Sequence, residues 1–215
     1  MSMVIWQNLE LLKQTRVRTF ELVHGLTQKQ MDWVPQPGKW SASEQLDHLV
    51  LAASLYHQQM EELIGLAKAG RPTEIRRTMK DINFRPNFIP EGALPLFEIP
   101  FTVINLFIPS GVRELLIRRQ IFPAQRPDIA RPVSGKPKAE LTGALEKSLR
   151  ATVELLEGNR DMQFSRMTLE HPVLGKNDLP FLVKLTALHE QRHQEQIREI
   201  VLAVPAAPHA LAGVA

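Results

Sequence analysis

The chain of 215 residues carries 44% hydrophobic and 23% charged side chains, enough apolar residues to fill one sizeable core. Its net charge of +3 arises from basic residues interleaved with acids, which excludes a bulk electrostatic case for nucleic-acid binding. There is no cysteine, so disulfides, thiolate metal ligands and a protein thiol nucleophile are excluded, and a reducing compartment is allowed. Residues 1–10 hold no basic region followed by an apolar run. The most apolar stretch, residues 94–108, is short and contains Glu98 and Pro100, so it does not suit a bilayer-spanning helix. The expectation is a cytoplasmic chain without membrane or nucleic-acid partners.

Residues 3–23 repeat Ile5, Leu9, Leu12, Val17, Phe20 and Val23 at helical spacing, and Gly25 ends the segment. Two prolines and a glycine between Gly25 and Trp40 predict a loop with one short helical turn. Ser41 and Glu44 have the spacing of a capping box, in which each side chain satisfies the other residue's backbone N–H. The helix they open runs through Leu46, Leu49, Leu55 and Leu63 to about Ala69, where Gly70 and Pro72 stop it.

Residues 71–138 differ. Nine of the sixteen prolines lie between Pro86 and Pro137, too closely spaced for long helices. Residues 94–107 and 112–120 are predicted as short helices within this proline-rich insertion. Helical periodicity returns with Leu141, Leu145, Leu149, Val153 and Leu156, closed by Gly158. Asp178 is the predicted N-cap of a last helix, with Pro180 just inside it. That helix carries Leu182, Leu185, His189, His193, Gln196 and Ile200. With four long helices and no strand pattern, the predicted fold is an all-α four-helix bundle with a long insertion between the second and third long helices. The domain reading is one bundle over residues 1–203, with 71–135 as the insertion or cover and 204–215 as a flexible tail.

Three histidines carry the functional reading. His189 and His193 stand four residues apart, which puts two imidazoles on one helical face where both reach a single ion. Leu182, Leu185 and Ile200 share helical spacings with them, so the pair leans toward the bundle interior. His48 lies mid-helix among Leu46, Leu49 and Leu51 and is the third ligand candidate. Three nitrogen donors suit zinc, nickel or a neighbouring divalent ion and leave coordination positions open for water or substrate. Glu44, one turn before His48, is placed to orient its ring, although capping is the commoner use. His57 falls on the opposite side of the same helix and is read as solvated; His24 is assigned to a helix end, His171 to a turn and His209 to the tail.

The pentad His189-Glu190-Gln191-Arg192-His193 also matches the zinc-protease signature, in which Glu190 would be the general base. Gln196 stands where the extended pattern needs glycine and position 199 is not histidine, so this is the remote alternative. Trp33 and Trp40 bracket the loop before the His48 helix and are read as packing its end. Arg113, Arg118 and Arg119 are available to hold an anionic group beside a pocket lined by residues 94–108; the competing role for that apolar stretch is dimerisation.

The segment from Lys39 to Leu49 resembles the W-S-x-x-E-x-x-x-H segment of the DinB-like (DinB/YfiT) superfamily. His189-x-x-x-His193 followed by Gln196-Ile197 is similar to that superfamily's last-helix motif. The likeness covers about residues 1–70 and 136–203. It implies a four-helix bundle with a three-histidine divalent-metal site, and often a homodimer; the ions expected at His48, His189 and His193 are zinc or nickel ahead of manganese or iron. It further implies an enzyme acting on a small molecule, by transfer of a low-molecular-weight thiol, by isomerisation or by hydrolysis. The rival reading is a non-catalytic bundle in which the ion only staples helices.

Overall fold

A computed structural model describes residues 3–78, 130–171 and 175–205. Among these, four main helices carry the architecture: α1 (Met3–His24), α3 (Ala42–Lys68), α4 (Lys138–Glu157) and α5 (Leu179–Ala203), with a one-turn α2 (Gln28–Met31) between the first two. No described helix is long and apolar enough to cross a membrane. The predicted short helices and pocket stretch, with Arg113, Arg118 and Arg119, fall on residues 79–129, outside the described residues, as does residues 206–215 of the predicted tail.

Local chemistry sets the helix ends. Ser41 Oγ accepts from the Glu44 N–H at 3.2 Å and Glu44 Oε2 accepts from the Ser41 N–H at 2.8 Å, so the capping box forms. At the other end of α3, the Arg71 N–H reaches the Leu66 carbonyl at 2.9 Å and the Gly70 N–H reaches Ala67 at 3.1 Å. This double closure needs a left-handed residue, and Gly70 supplies it at φ +63°. Asp178 Oδ1 accepts from the Phe181 N–H at 2.9 Å and starts α5.

The helices enclose two apolar clusters, one at each end. The first joins Ile5, Leu9 and Leu12 of α1 to Met60, Leu63 and Ile64 of α3, Leu156 of α4 and Leu179, Leu182 and Val183 of α5. The second joins Val23, Leu46, Leu49, Leu141, Leu145, Ile197 and Ile200. Taken together, these memberships fix direction: α1 and α5 run one way, α3 and α4 the other. The chain therefore has to return the length of the helices between the end of α3 and the start of α4. A tight turn cannot join two parallel neighbours.

Between the clusters lies a polar layer. Thr15, Arg16 and Thr19 of α1, His48 of α3, Thr152 of α4 and Glu190, His193 and Gln194 of α5 are all buried. The periodic apolar stripe predicted for α1 breaks here: Val17 is 55% exposed, while Arg16 and Thr19 take the inward positions. Buried polar groups require partners, and these have them. Arg16 Nε and Nη2 each donate to the Glu190 carboxylate at 2.9 Å, and Arg16 Nη1 donates to the Leu145 carbonyl. Thr19 Oγ1 donates to Glu190 Oε1 at 2.6 Å, and Gln194 Nε2 donates to the Thr15 carbonyl at 2.7 Å.

One expectation is corrected. A small sheet accompanies the helices: β1 (Glu74–Arg76) pairs parallel with β2 (Thr168–His171), which pairs antiparallel with β3 (Gly175–Asp178). One register row, Ile75, Leu169 and Asn177, is buried in the core. Strands of three or four residues contribute one inward side chain each, too few for an alternating pattern to be visible in the sequence.

Candidate metal centre

α3 and α5 are antiparallel neighbours, and their polar positions meet at mid-height. His48 projects from α3 toward His189 and His193, which stand one turn apart on α5. His189 Nε2 lies 3.3 Å from His48 Nε2 and 3.2 Å from His193 Nε2, and the three donor atoms fall within 4.8 Å of one another. Two nitrogens bound to one zinc ion at about 2.0–2.1 Å and a tetrahedral angle stand about 3.3 Å apart. The spacing fits a shared ion.

The outer ring nitrogens decide which atoms face inward. His48 Nδ1 lies 2.6 Å from the Ala130 carbonyl, and His193 Nδ1 lies 2.6 Å from Gln45 Oε1. Carbonyl oxygens only accept, so each Nδ1 carries the hydrogen and each Nε2 presents its lone pair to the shared point. His189 has its pKa lowered to about 3, first by burial and then by the neighbouring His48 and Arg192. It is neutral at physiological pH, the form that binds metal.

Aromatic rings flank the three imidazoles. The Trp40 ring sits 5.0 Å from His48 and lies nearly parallel to His193 at 6.4 Å. Tyr56 meets His189 edge-on at 6.2 Å, and burial pushes its phenol up to about 12, so it stays protonated. Among the described residues, no carboxylate or further imidazole joins the three donors.

A family model described as the DinB superfamily matches residues 11–197. The chain belongs to the DinB superfamily. No curated protein and no solved structure matches it. Membership agrees with the resemblance carried by residues 39–49 and 189–197, and the matched span takes in all three histidines of the buried cluster.

The other candidates are placed as follows. The Glu44 carboxylate is occupied by the Ser41 N–H and by Ser134 Oγ at 2.8 Å, while the Ala130 carbonyl takes the place foreseen for it on His48. Glu190, the supposed protease base, is engaged by Arg16 and Thr19 of α1, with its side chain 2% exposed. It is a structural anion of the polar layer, and the protease reading loses its base. His57 is half-buried rather than solvated: its Nδ1 lies 3.2 Å from Thr152 Oγ1 of α4, and Glu61 is 3.4 Å from its Nε2. His24 ends α1 as expected. His171 ends β2, paired with Gly175, and burial lowers its pKa to about 4. Trp33 packs on the second apolar cluster, whereas Trp40 reaches the histidines. Gln45, Ala130 and Tyr56 were not singled out from sequence. Gln45 lies three residues before His48 on the same helical face, which is the one signal that marks it.

Proposed function

We propose that this DinB-superfamily chain is a metal-dependent enzyme acting on a small molecule, with His48, His189 and His193 holding one divalent ion, zinc or nickel first. The observation that carries the reading is the convergence of three imidazoles, His189 Nε2 standing 3.3 Å from His48 Nε2 and 3.2 Å from His193 Nε2, with two of the rings anchored through Nδ1. Three protein donors leave room for an exchangeable ligand, whereas an ion that only staples helices usually takes four. An ion in such a site lowers the pKa of a water or thiol brought to it, which makes a nucleophile at neutral pH.

The protein's own part is binding and orientation. The Ala130 carbonyl and Gln45 hold the rings, and Trp40 covers one side. Tyr56 keeps its proton and packs its ring edge-on against His189. With no cysteine in the chain, any thiol must arrive as a second substrate. The reaction is thiol S-transfer or hydrolysis. On this reading the protein is a homodimer working in the cytoplasm, and light scattering on the purified protein checks the dimer.

Elemental analysis should find about one zinc or nickel per chain, lost in His48→Ala and in His189→Ala. The loaded protein is then screened with small thiols plus electrophiles, and with esters and amides. Near-stoichiometric metal persisting in both variants would end the assignment. A coordination sphere closed by a fourth protein donor, with no turnover, would favour the stapling role instead.

A further inference from the structure

Residues 130–136 lie against the first half of α3, on the side that carries Glu44, Asp47 and His48. Asp47 is 1% exposed, and both of its oxygens are used. Oδ2 accepts from the Val133 N–H at 2.8 Å, and Oδ1 accepts from Lys136 Nζ at 2.7 Å. Both donors reach one carboxylate because the chain turns at Ser134 and Gly135, where Gly135 takes φ +82°. Ser134 Oγ adds a bond to Glu44 at 2.8 Å. Three residues before Val133, the Ala130 carbonyl meets His48 Nδ1 at 2.6 Å.

A buried carboxylate is costly unless its charge is matched, and here one N–H and one ammonium match it. The arrangement ties a peptide segment to the helix at the residue next to a metal-ligand candidate. A backbone carbonyl orients an imidazole only as well as its own segment is held.

We propose that Asp47 is a positioning residue of the metal centre: by clamping Val133 and Lys136 it keeps the Ala130 carbonyl on His48 Nδ1 and so aims His48 Nε2 at the ion. The inference rests on the three-histidine reading above. It predicts that docking of residues 130–136 and metal binding reinforce each other. Tightening of the segment holds the ring, and an ion on the ring fixes the hydrogen on Nδ1 that the carbonyl needs.

Cobalt(II) is the probe. Its affinity is measured by chelator competition, its visible ligand-field spectrum is recorded, and amide exchange of residues 130–136 is followed with and without the ion. Asp47→Asn keeps the shape but offers one acceptor to two donors. It should bind cobalt about 10- to 100-fold more weakly. It should also show an altered ligand-field band and lose the ion-dependent protection of residues 130–136, while its apoprotein keeps the wild-type circular dichroism. Lys136→Met removes one donor from a partly exposed position and should move all three readouts the same way by less. If Asp47→Asn folds and binds cobalt with unchanged affinity and spectrum, the inference is overturned. If that variant does not fold, unchanged affinity and exchange in Lys136→Met overturn it equally. Failure of the wild-type protein to bind cobalt, zinc or nickel would instead remove the metal-centre reading, and the inference with it.

Discussion

Arg16 is the most informative residue to remove. Its guanidinium is 2% exposed and spends its donors on Glu190, the Leu145 carbonyl and Ser148 Oγ, the last at 3.3 Å. Arg16→Met fills similar volume but strands the Glu190 carboxylate in the bundle interior with Thr19 as its remaining described donor. Stranding one member of a buried ion pair costs about 3–5 kcal/mol. In a chain of this length each kcal/mol moves Tm by about 2–4 °C, so the expected fall is on the order of 10 °C. The Leu145 carbonyl contributes little to this loss, because Ser148 Oγ still donates to it at 2.7 Å. Removing both charges, in Arg16→Met with Glu190→Leu, should recover part of the loss, since an apolar pair carries no desolvation cost. Urea unfolding followed by circular dichroism, run as a double-mutant cycle, measures each term. A single-variant loss below about 1 kcal/mol, or losses that simply add in the double variant, would refute the account of a tightly paired buried layer.

Two further outcomes follow from the same structure. Burial lowers the pKa of His189 to about 3 and of His171 to about 4 from an ordinary value of 6.5, so below pH 6.5 the unfolded chain takes up protons that the folded chain refuses. Stability of the metal-free protein is thus fully present above pH 6.5 and falls as the pH drops toward 4, by up to about 1.4 kcal/mol per pH unit for each histidine. Urea midpoints at pH 7 and pH 5 check this; His189→Gln should shallow the slope, and a flat profile would contradict the burial argument. Gly70→Ala places a side chain at φ +63° with no neighbour within 4 Å, so the cost is purely conformational, about 1 kcal/mol, and a variant melting with wild type would show that the helix end can close another way.

The local elements were legible because local chemistry makes them. Ser41 with Glu44 is a complete start signal, Asp178 with Pro180 is another, and Gly70 and Gly158 follow the last residues of their helices. The i,i+4 spacing of His189 and His193 placed two imidazoles on one face with no knowledge of the fold. His48 was legible as a partner through its apolar neighbours and through the superfamily motif. Its reach to the other two is a property of the antiparallel packing of α3 on α5.

The rest needed tertiary structure. Arg16 and Thr19 look like surface residues in an amphipathic pattern, and Val17 looks like core. The polarity reverses because Glu190, 174 positions away, arrives at the same height and must be neutralised. The protease signature was ambiguous for the same reason: five residues fix where Glu190 points on its helix but not which helix it meets. The sheet escaped notice because its strands join residues 74–76 to 168–178 and bury one side chain apiece. Sequence spacing thus determined the helices and the pair of imidazoles. Packing decided which carbonyl orients His48, that Glu190 is a buried counter-ion and not a base, and where the polar layer lies, because each of those depends on residues brought together from distant parts of the chain.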